Sequence, residues 1–359
     1  MRVFAIALTP IRLLCLLAAA ALLGFSIRPV LSPTSVAFET NTVNRAVKHV
    51  VLTMAGGPNY EGSDGRAWAS RFGGSFRRVN EDADVVFFTT GVHAAVASLA
   101  EALRLTPQLF STSATDEPWS KMEVAAQRWH LFRIFLEAHA ADYSNGWVLA
   151  VDARDSFFQR DPFRLAEEIA RAVGTSASIV TFLEQGVTIG GSQWNTDVIA
   201  ACYPPEVLTF DGPVARAPVS CSGTLLASYA GMLEYLRAME EEMLAPLAVL
   251  PRCQAAGGRD QGFHNVLLHS GRLAARLAAA GLGGLRIYAN EDGPVQTLQF
   301  GDLRIDSLGR VLNAQGSVAH IVHQFDRKRE VVKLVEAMFP AMEVRGRPFL
   351  VRDASGTQL

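Results

Sequence analysis

The chain has 359 residues, 49% of them hydrophobic, and a formal net charge of −2. That is enough apolar content to bury the core of one large α/β domain or two smaller ones. The near-neutral balance gives no argument for nucleic-acid binding, and no nucleic-acid partner is expected. Four cysteines are present: Cys15 in an N-terminal apolar segment, then Cys202, Cys221 and Cys253. Their spacing fits no zinc pattern. An odd number in the globular part predicts one disulfide and one free thiol in an oxidising lumen.

At the N-terminus, Arg2 and Arg12 precede an uncharged run from Leu13 to Ile27. The run is short against the ~20 residues a membrane span needs, unless Arg12 snorkels to the surface. Residues 1–27 are read as a signal-anchor, with a cleaved signal peptide as the alternative. Residues 28–46 lack helical or strand periodicity and read as a stem. One domain is expected over 47–340, followed by a tail over 341–359. Val47–Met54 is a β-rich run ending in Gly56-Gly57-Pro58-Asn59, and a second strand starts at Asp84 and is bounded by Gly91. Lys121–Ala141 reads as a helix whose capping box is Ser120 and Glu123, with Met122, Ala125, Trp129, Phe132, Leu136 and His139 on one face. The apolar strand Trp147–Val151 leads to Asp152 and Asp155. A helix Pro162–Val173 follows, with Asp161 as its N-cap and Gly174 as its stop. Ser178–Leu183 is another strand. This β/α alternation predicts a parallel sheet with crossover helices. Further on, Val219–Ala227 reads as a strand broken by Ser222-Gly223. Ser228 caps a helix to about Met243, and Asp260 caps a short helix ending before Gly271. From Arg286 the chain is strand-like, with turns at Asp292-Gly293, Leu308-Gly309 and Gln315-Gly316.

Three motifs carry the chemistry. A buried strand delivering carboxylates at its C-terminal end is where α/β sheets place ligands, and two hard oxygen donors suit Mg²⁺ or Mn²⁺. The order of elements from Trp147 to Phe163 (apolar strand, acidic cluster, Phe157-Phe158, then Asp161-Pro162-Phe163) resembles the Asp-x-Asp region of GT-A-fold glycosyltransferases. The likeness is to the retaining glycogenin-like and plant galactosyl- and arabinosyltransferase groups. The spacing departs from that pattern. Asp155 matches the metal-binding second Asp, Ala153 stands where the first should be, and Asp152 comes one residue early. The resemblance implies an α/β, GT-A (Rossmann-like) mixed, mainly parallel sheet flanked by helices. It implies Mn²⁺ or Mg²⁺ held by Asp152, Asp155 and His323. His320 and His323 face opposite ways on a strand, so only one of them serves. It implies close approach of the donor at Ser222-Gly223, a basic residue near the diphosphate at Arg128, and sugar contacts in catalysis from Asp260 and Gln261. Arg133 is a second basic candidate on the same helix, Arg154 is placed to pair with a phosphate or with Asp161, and Trp194 and Asn195 are candidates for a sugar subsite.

The expected function is therefore metal-dependent transfer of a sugar from a nucleotide diphosphate sugar to a glycan or glycoprotein hydroxyl. Retention of configuration follows from the resemblance alone. The expected place is a Golgi or other secretory-pathway membrane, type II, with the bulk luminal. The alternative is a non-catalytic glycan-binding module on the same fold. An aspartate-nucleophile phosphatase would want Asp-x-Asp followed by a hydroxyl residue, which the spacing here does not supply.

Overall fold

The computed structural model describes residues 47–55, 67–92, 94–111, 118–173, 177–250, 252–253 and 260–340. All belong to one compact unit that begins at residue 46. The expected anchor, stem and tail lie outside the described residues, as do Gly56-Gly57-Pro58-Asn59 and Gly174. Among the described residues, no helix is long and apolar enough to cross a membrane.

The strands are β1 (Val50–Met54), β2 (Asp84–Thr89), β3 (Leu105–Leu109), β4 (Trp147–Val151), β5 (Ser156–Phe158), β6 (Ile179–Thr188), β7 (Pro218–Ser228), β8 (Leu285–Tyr288), β9 (Val295–Thr297), β10 (Arg304–Ile305), β11 (Val311–Leu312) and β12 (Ile321–His323). The longer helices are α1 (Gly74–Val79), α2 (Ala94–Ala102), α3 (Val124–Ala138), α4 (Pro162–Val173), α5 (Gln193–Cys202), α6 (Tyr229–Val249), α7 (Asp260–His269), α8 (Arg272–Ala279) and α9 (Arg329–Met338). A seven-stranded sheet runs β3-β2-β1-β4-β7-β6-β8, and β5-β12-β9 form a separate three-stranded sheet. In the large sheet β1 is parallel to β2 and β4, β2 to β3, and β6 to β8. Only β7 runs against its neighbours β4 and β6. The fold is thus α/β with a mixed, mainly parallel sheet flanked by helices.

Both faces of the central strands are covered, which is why β1, β2 and β4 are near-continuous apolar runs. Val50, Leu52, Val148 and Ala150 face a core shared with Trp129 and Phe132 of α3 and Tyr235 of α6. Val51, Val85, Leu149 and Val151 face the opposite core, with Phe76 of α1 and Ile169 of α4. A third, smaller cluster packs Phe157, Val322 and Phe325 against Val331 and Val335 of α9.

Several local expectations are corrected. The helix after Ser120 starts only at Val124, preceded by a separate 3₁₀ turn, Trp119–Lys121, and neither Ser120 nor Glu123 makes a capping bond. Trp119 is buried and stacks on His130 at 4.8 Å, which fixes that turn and replaces the capping box. Ala125 is exposed, and Phe135 and Ala126 take its place on the buried face. Strand β7 is continuous through Ser222-Gly223, and the irregularity expected there lies in its ladder with β6, where Thr181 pairs with Leu225 but Leu183 with Ser220 and the register slips again before Thr188. β6 does not pair with β4, because β7 enters between them. Ser228 does cap α6, its Oγ accepting from the Gly231 N–H at 3.2 Å, but α6 runs on to Val249. Asp161 accepts from the Phe163 N–H at 2.9 Å, as an N-cap of α4 should.

Candidate metal centre and cleft

Strand β4 ends at Val151, and the Asp152 N–H donates to the Gly223 carbonyl of β7 at 2.9 Å. The last step of the ladder therefore sets Asp152 beside Gly223. Ala153 turns into the apolar core. That inward turn lets carboxylates three residues apart reach the same side of the loop. Asp155 is buried and leads into β5, which pairs antiparallel with β12 so that Ser156 faces His323. One donor atom from each of Asp152, Asp155 and His323 lies within 4.8 Å of the others. His320 is turned away, with its Nδ1 on the Asp161 carbonyl at 2.8 Å.

Gly223 keeps this space open. A Cβ there would collide with Asp152 Oδ2 and lie 2.7 Å from His323 Nε2. His323 Nδ1 is 2.9 Å from Ser156 Oγ. With Nδ1–H donating to that hydroxyl, the Nε2 lone pair faces the gap beside Gly223, as an imidazole ligand requires. Two hard oxygens and one imidazole nitrogen fit Mn²⁺, and Mg²⁺ less well because of its preference for oxygen.

Arg128, on α3, is buried behind the centre. Its Nη1 donates to Asp152 Oδ1. Its Nη2 donates to Asp260 Oδ2 at 2.5 Å and lies 3.3 Å from both Ser222 oxygens. The guanidinium lies 4.4 Å over the Trp129 ring, whose Nε1–H also donates to Asp260 at 3.0 Å. Burial works against its charge, yet Asp260 and Asp152 keep it protonated. Arg128 is thus a clamp on two carboxylates. By holding Oδ1 of Asp152 it leaves Oδ2 turned toward Gly223 and His323. Asp260 is the first residue of α7, and its carboxylate serves this network, with Ser222 Oγ donating to Oδ1 at 3.4 Å. The residues that lead into α7 lie outside the described ones, so its cap is not described; the Asp260 oxygens are engaged by Arg128, Trp129 and Ser222.

The charges differ from site to site. Burial drives the Asp155 carboxyl up; His323 opposes this and Asp152 adds to it. At Asp152 burial acts in the same direction, but Arg128 and His323 outweigh it and hold the carboxyl low. Burial also raises Asp260 against the pull of Arg128.

These groups line one cleft of about 380 Å³, with Arg154, Trp194, Gln261 and Arg327 at its walls. Trp194 is 46% exposed there. Asn195 is buried and accepts from Gln261 Nε2 at 3.1 Å, so it fixes Gln261 from behind the cleft. Arg154 lies 3.6 Å from both Asp155 and Asp326, on the cleft side of the loop. Arg133 is elsewhere, paired with Glu240 and Glu137. Sequence reading passed over Cys221, Gln324 and Ser156. Strand alternation puts Cys221 on the face of Gly223, a signal that was there to use; Ser156 enters only through the β5–β12 pairing, which sequence does not display. No protein-family model matches the chain, and no curated protein matches it, so the functional reading rests on residues and geometry.

Proposed function

We propose that this protein is a metal-dependent glycosyltransferase of the GT-A type, moving a sugar from a nucleotide diphosphate sugar to a glycan or glycoprotein hydroxyl. The observation that carries the reading is the convergence of Asp152, Asp155 and His323 at the C-terminal end of β4, around a space that Gly223 alone keeps clear. Bound there, Mn²⁺ or Mg²⁺ would supply Lewis-acid neutralisation of a leaving diphosphate. Arg128 orients Asp152 for that task and holds Asp260 at the opposite wall. Gln261 offers an amide to sugar hydroxyls, and Trp194 offers an exposed aromatic face to a sugar ring. The disulfide Cys202–Cys253 supports an oxidising, luminal setting, in keeping with residues 1–27 as a type II anchor in a Golgi or related membrane.

Titration calorimetry of Mn²⁺ with nucleoside diphosphate tests the assignment. Asp155→Ala should lose binding, and His323→Ala should weaken it less because imidazole neutralises no charge. Asp152→Ala should resemble Asp155→Ala. Wild-type affinity in Asp155→Ala would sink the metal centre and the transferase with it. Donor hydrolysis that requires Mn²⁺ would separate turnover from mere glycan binding.

A further inference from the structure

Cys221 is a free, buried cysteine on the floor of the cleft. Its Sγ lies 3.3 Å from His323 Nε2, the nitrogen that faces the gap beside Gly223. A tetrahedral ion about 2.3 Å from sulfur and about 2.0–2.1 Å from nitrogen holds those two donors roughly 3.5 Å apart. The pair is therefore already near chelating distance. The thiol is not among the three donors within 4.8 Å of one another, and it joins that group through His323.

A second observation comes from Gln324. This residue adopts φ 54°, a left-handed conformation that costs free energy for a side chain of its kind. The turn brings its Nε2 to 3.8 Å from Cys221 Sγ. Its Oε1 is buried at the cleft without a hydrogen-bond partner. A buried carbonyl oxygen without a partner is costly, and a bound cation would relieve it.

We propose that Cys221 is a further donor of this centre, which makes it a site for thiophilic divalent ions such as Zn²⁺, Co²⁺ or Cd²⁺, held on Cys221 Sγ and His323 Nε2. The inference rests on the metal-centre reading above and extends it to a second class of ion. Asp152 Oδ2 faces the same gap from across Gly223, and Gln324 Oε1 supplies the remaining polar atom. On coordination the S–H bond breaks, the metal–sulfur bond forms, and the proton is released to solvent, as it is whenever a thiol becomes a metal ligand. Hard ions would sit on the carboxylates and imidazole, whereas thiophilic ions would draw toward sulfur. Such ions are then expected to displace Mn²⁺ from shared ligands.

The test is anaerobic titration of the metal-free full-length protein with Co²⁺. The near-ultraviolet thiolate-to-cobalt band is followed, with Zn²⁺ affinity from chelator competition and Mn²⁺ binding from electron paramagnetic resonance. Wild type should show the band, and Zn²⁺ should displace Mn²⁺. Cys221→Ser should abolish the band and weaken Zn²⁺ by about 100-fold, with a much smaller change for Mn²⁺, since the lost ligand is the soft one. A wild-type protein that binds Mn²⁺ but gives no thiolate band overturns the proposal while leaving the metal centre standing. Zn²⁺ affinity unchanged in Cys221→Ser overturns it equally. Failure to bind Mn²⁺ and Co²⁺ alike defeats both readings. Should Cys221→Ser not fold, the wild-type spectrum still decides.

Discussion

At the scale of single residues, the centre depends on an absent side chain as much as on those present. Gly223→Ala places a methyl group where Asp152 Oδ2 and His323 Nε2 approach each other. Neither neighbour can retreat freely, since Asp152 is tied to Arg128 and His323 to Ser156. The variant is expected to fold, because β7 is a regular strand there, yet to lose Mn²⁺ binding in calorimetry; retained affinity would show that the gap is not the ion's seat. Glu184 makes a separate prediction. Burial pushes its carboxyl up from 4.5 to about 7, against a hydrogen bond with Cys221. The folded protein therefore keeps a proton that the unfolded chain gives up. Stability from this group is complete below about pH 4.5 and is lost as pH rises through 7. Glu184→Gln, neutral throughout, should match wild type near pH 4 and exceed it at pH 8 by on the order of 3 kcal/mol. Urea unfolding in chelator, run at both pH values, checks this. Equal stability of the two proteins at pH 8 would contradict it.

At the scale of elements, what sequence displays and what it conceals follow a physical line. Trp147–Val151, Asp161-Pro162 and Ser228 were legible because strand periodicity and N-caps are local. The capping box at Ser120 and Glu123 also looked local, but the stacking of Trp119 on His130 set a different turn. Ser222-Gly223 looked like a break in a strand, and here too a long-range contact decides. Asn265 on α7 accepts from the Ser220 N–H at 2.8 Å, and its Nδ2 donates to the Ser220 carbonyl at 2.9 Å. One side chain thus satisfies both backbone groups of β7 where pairing with β6 slips. That bond pair leaves β7 continuous and docks α7 on it, which delivers Asp260 and Gln261 to the cleft. Asn265→Ala leaves a buried N–H and C=O unpaired, at about 1–3 kcal/mol each. A loss of roughly 2–4 kcal/mol in urea unfolding is expected, with the proposed transfer weakened through misplacement of α7. A change below about 0.5 kcal/mol, the size typical of surface substitutions, would mean that water replaces the amide without cost.

At the scale of the whole molecule, the candidate centre sits where two sheets meet. Asp152 ends a strand of the seven-stranded sheet, while Asp155 precedes β5 and His323 ends β12 of the three-stranded sheet. The α/β class and the strands β1, β2 and β4 could be read from alternating patterns, whereas β3 (LTPQL, half of it solvent-facing) could not. The small sheet could not, because its strands are three residues long and β5 finds β12 across more than a hundred positions. It packs on the main body through Phe158, Val295 and Ile321, and on α9 through Val322. An ion gripping Asp152 on one side and Asp155 and His323 on the other would fasten the two sheets together. Ligand binding stabilises whatever conformation holds the site, by about 2.7 kcal/mol at a hundredfold excess over the dissociation constant. Hydrogen exchange should therefore show amides of β5, β9 and β12 slowing markedly when Mn²⁺ is added. Amides of β2 and β3, remote from the junction, should change only where they exchange by global unfolding. Asp155→Ala should erase the selective slowing. Equal slowing of both sheets, or no slowing in β12, would place the ion elsewhere. Selective slowing in wild type alone would make the metal the link between fold and chemistry: the carboxylates that hold the ion would also lock the wall of the cleft formed by β12 and Gln324.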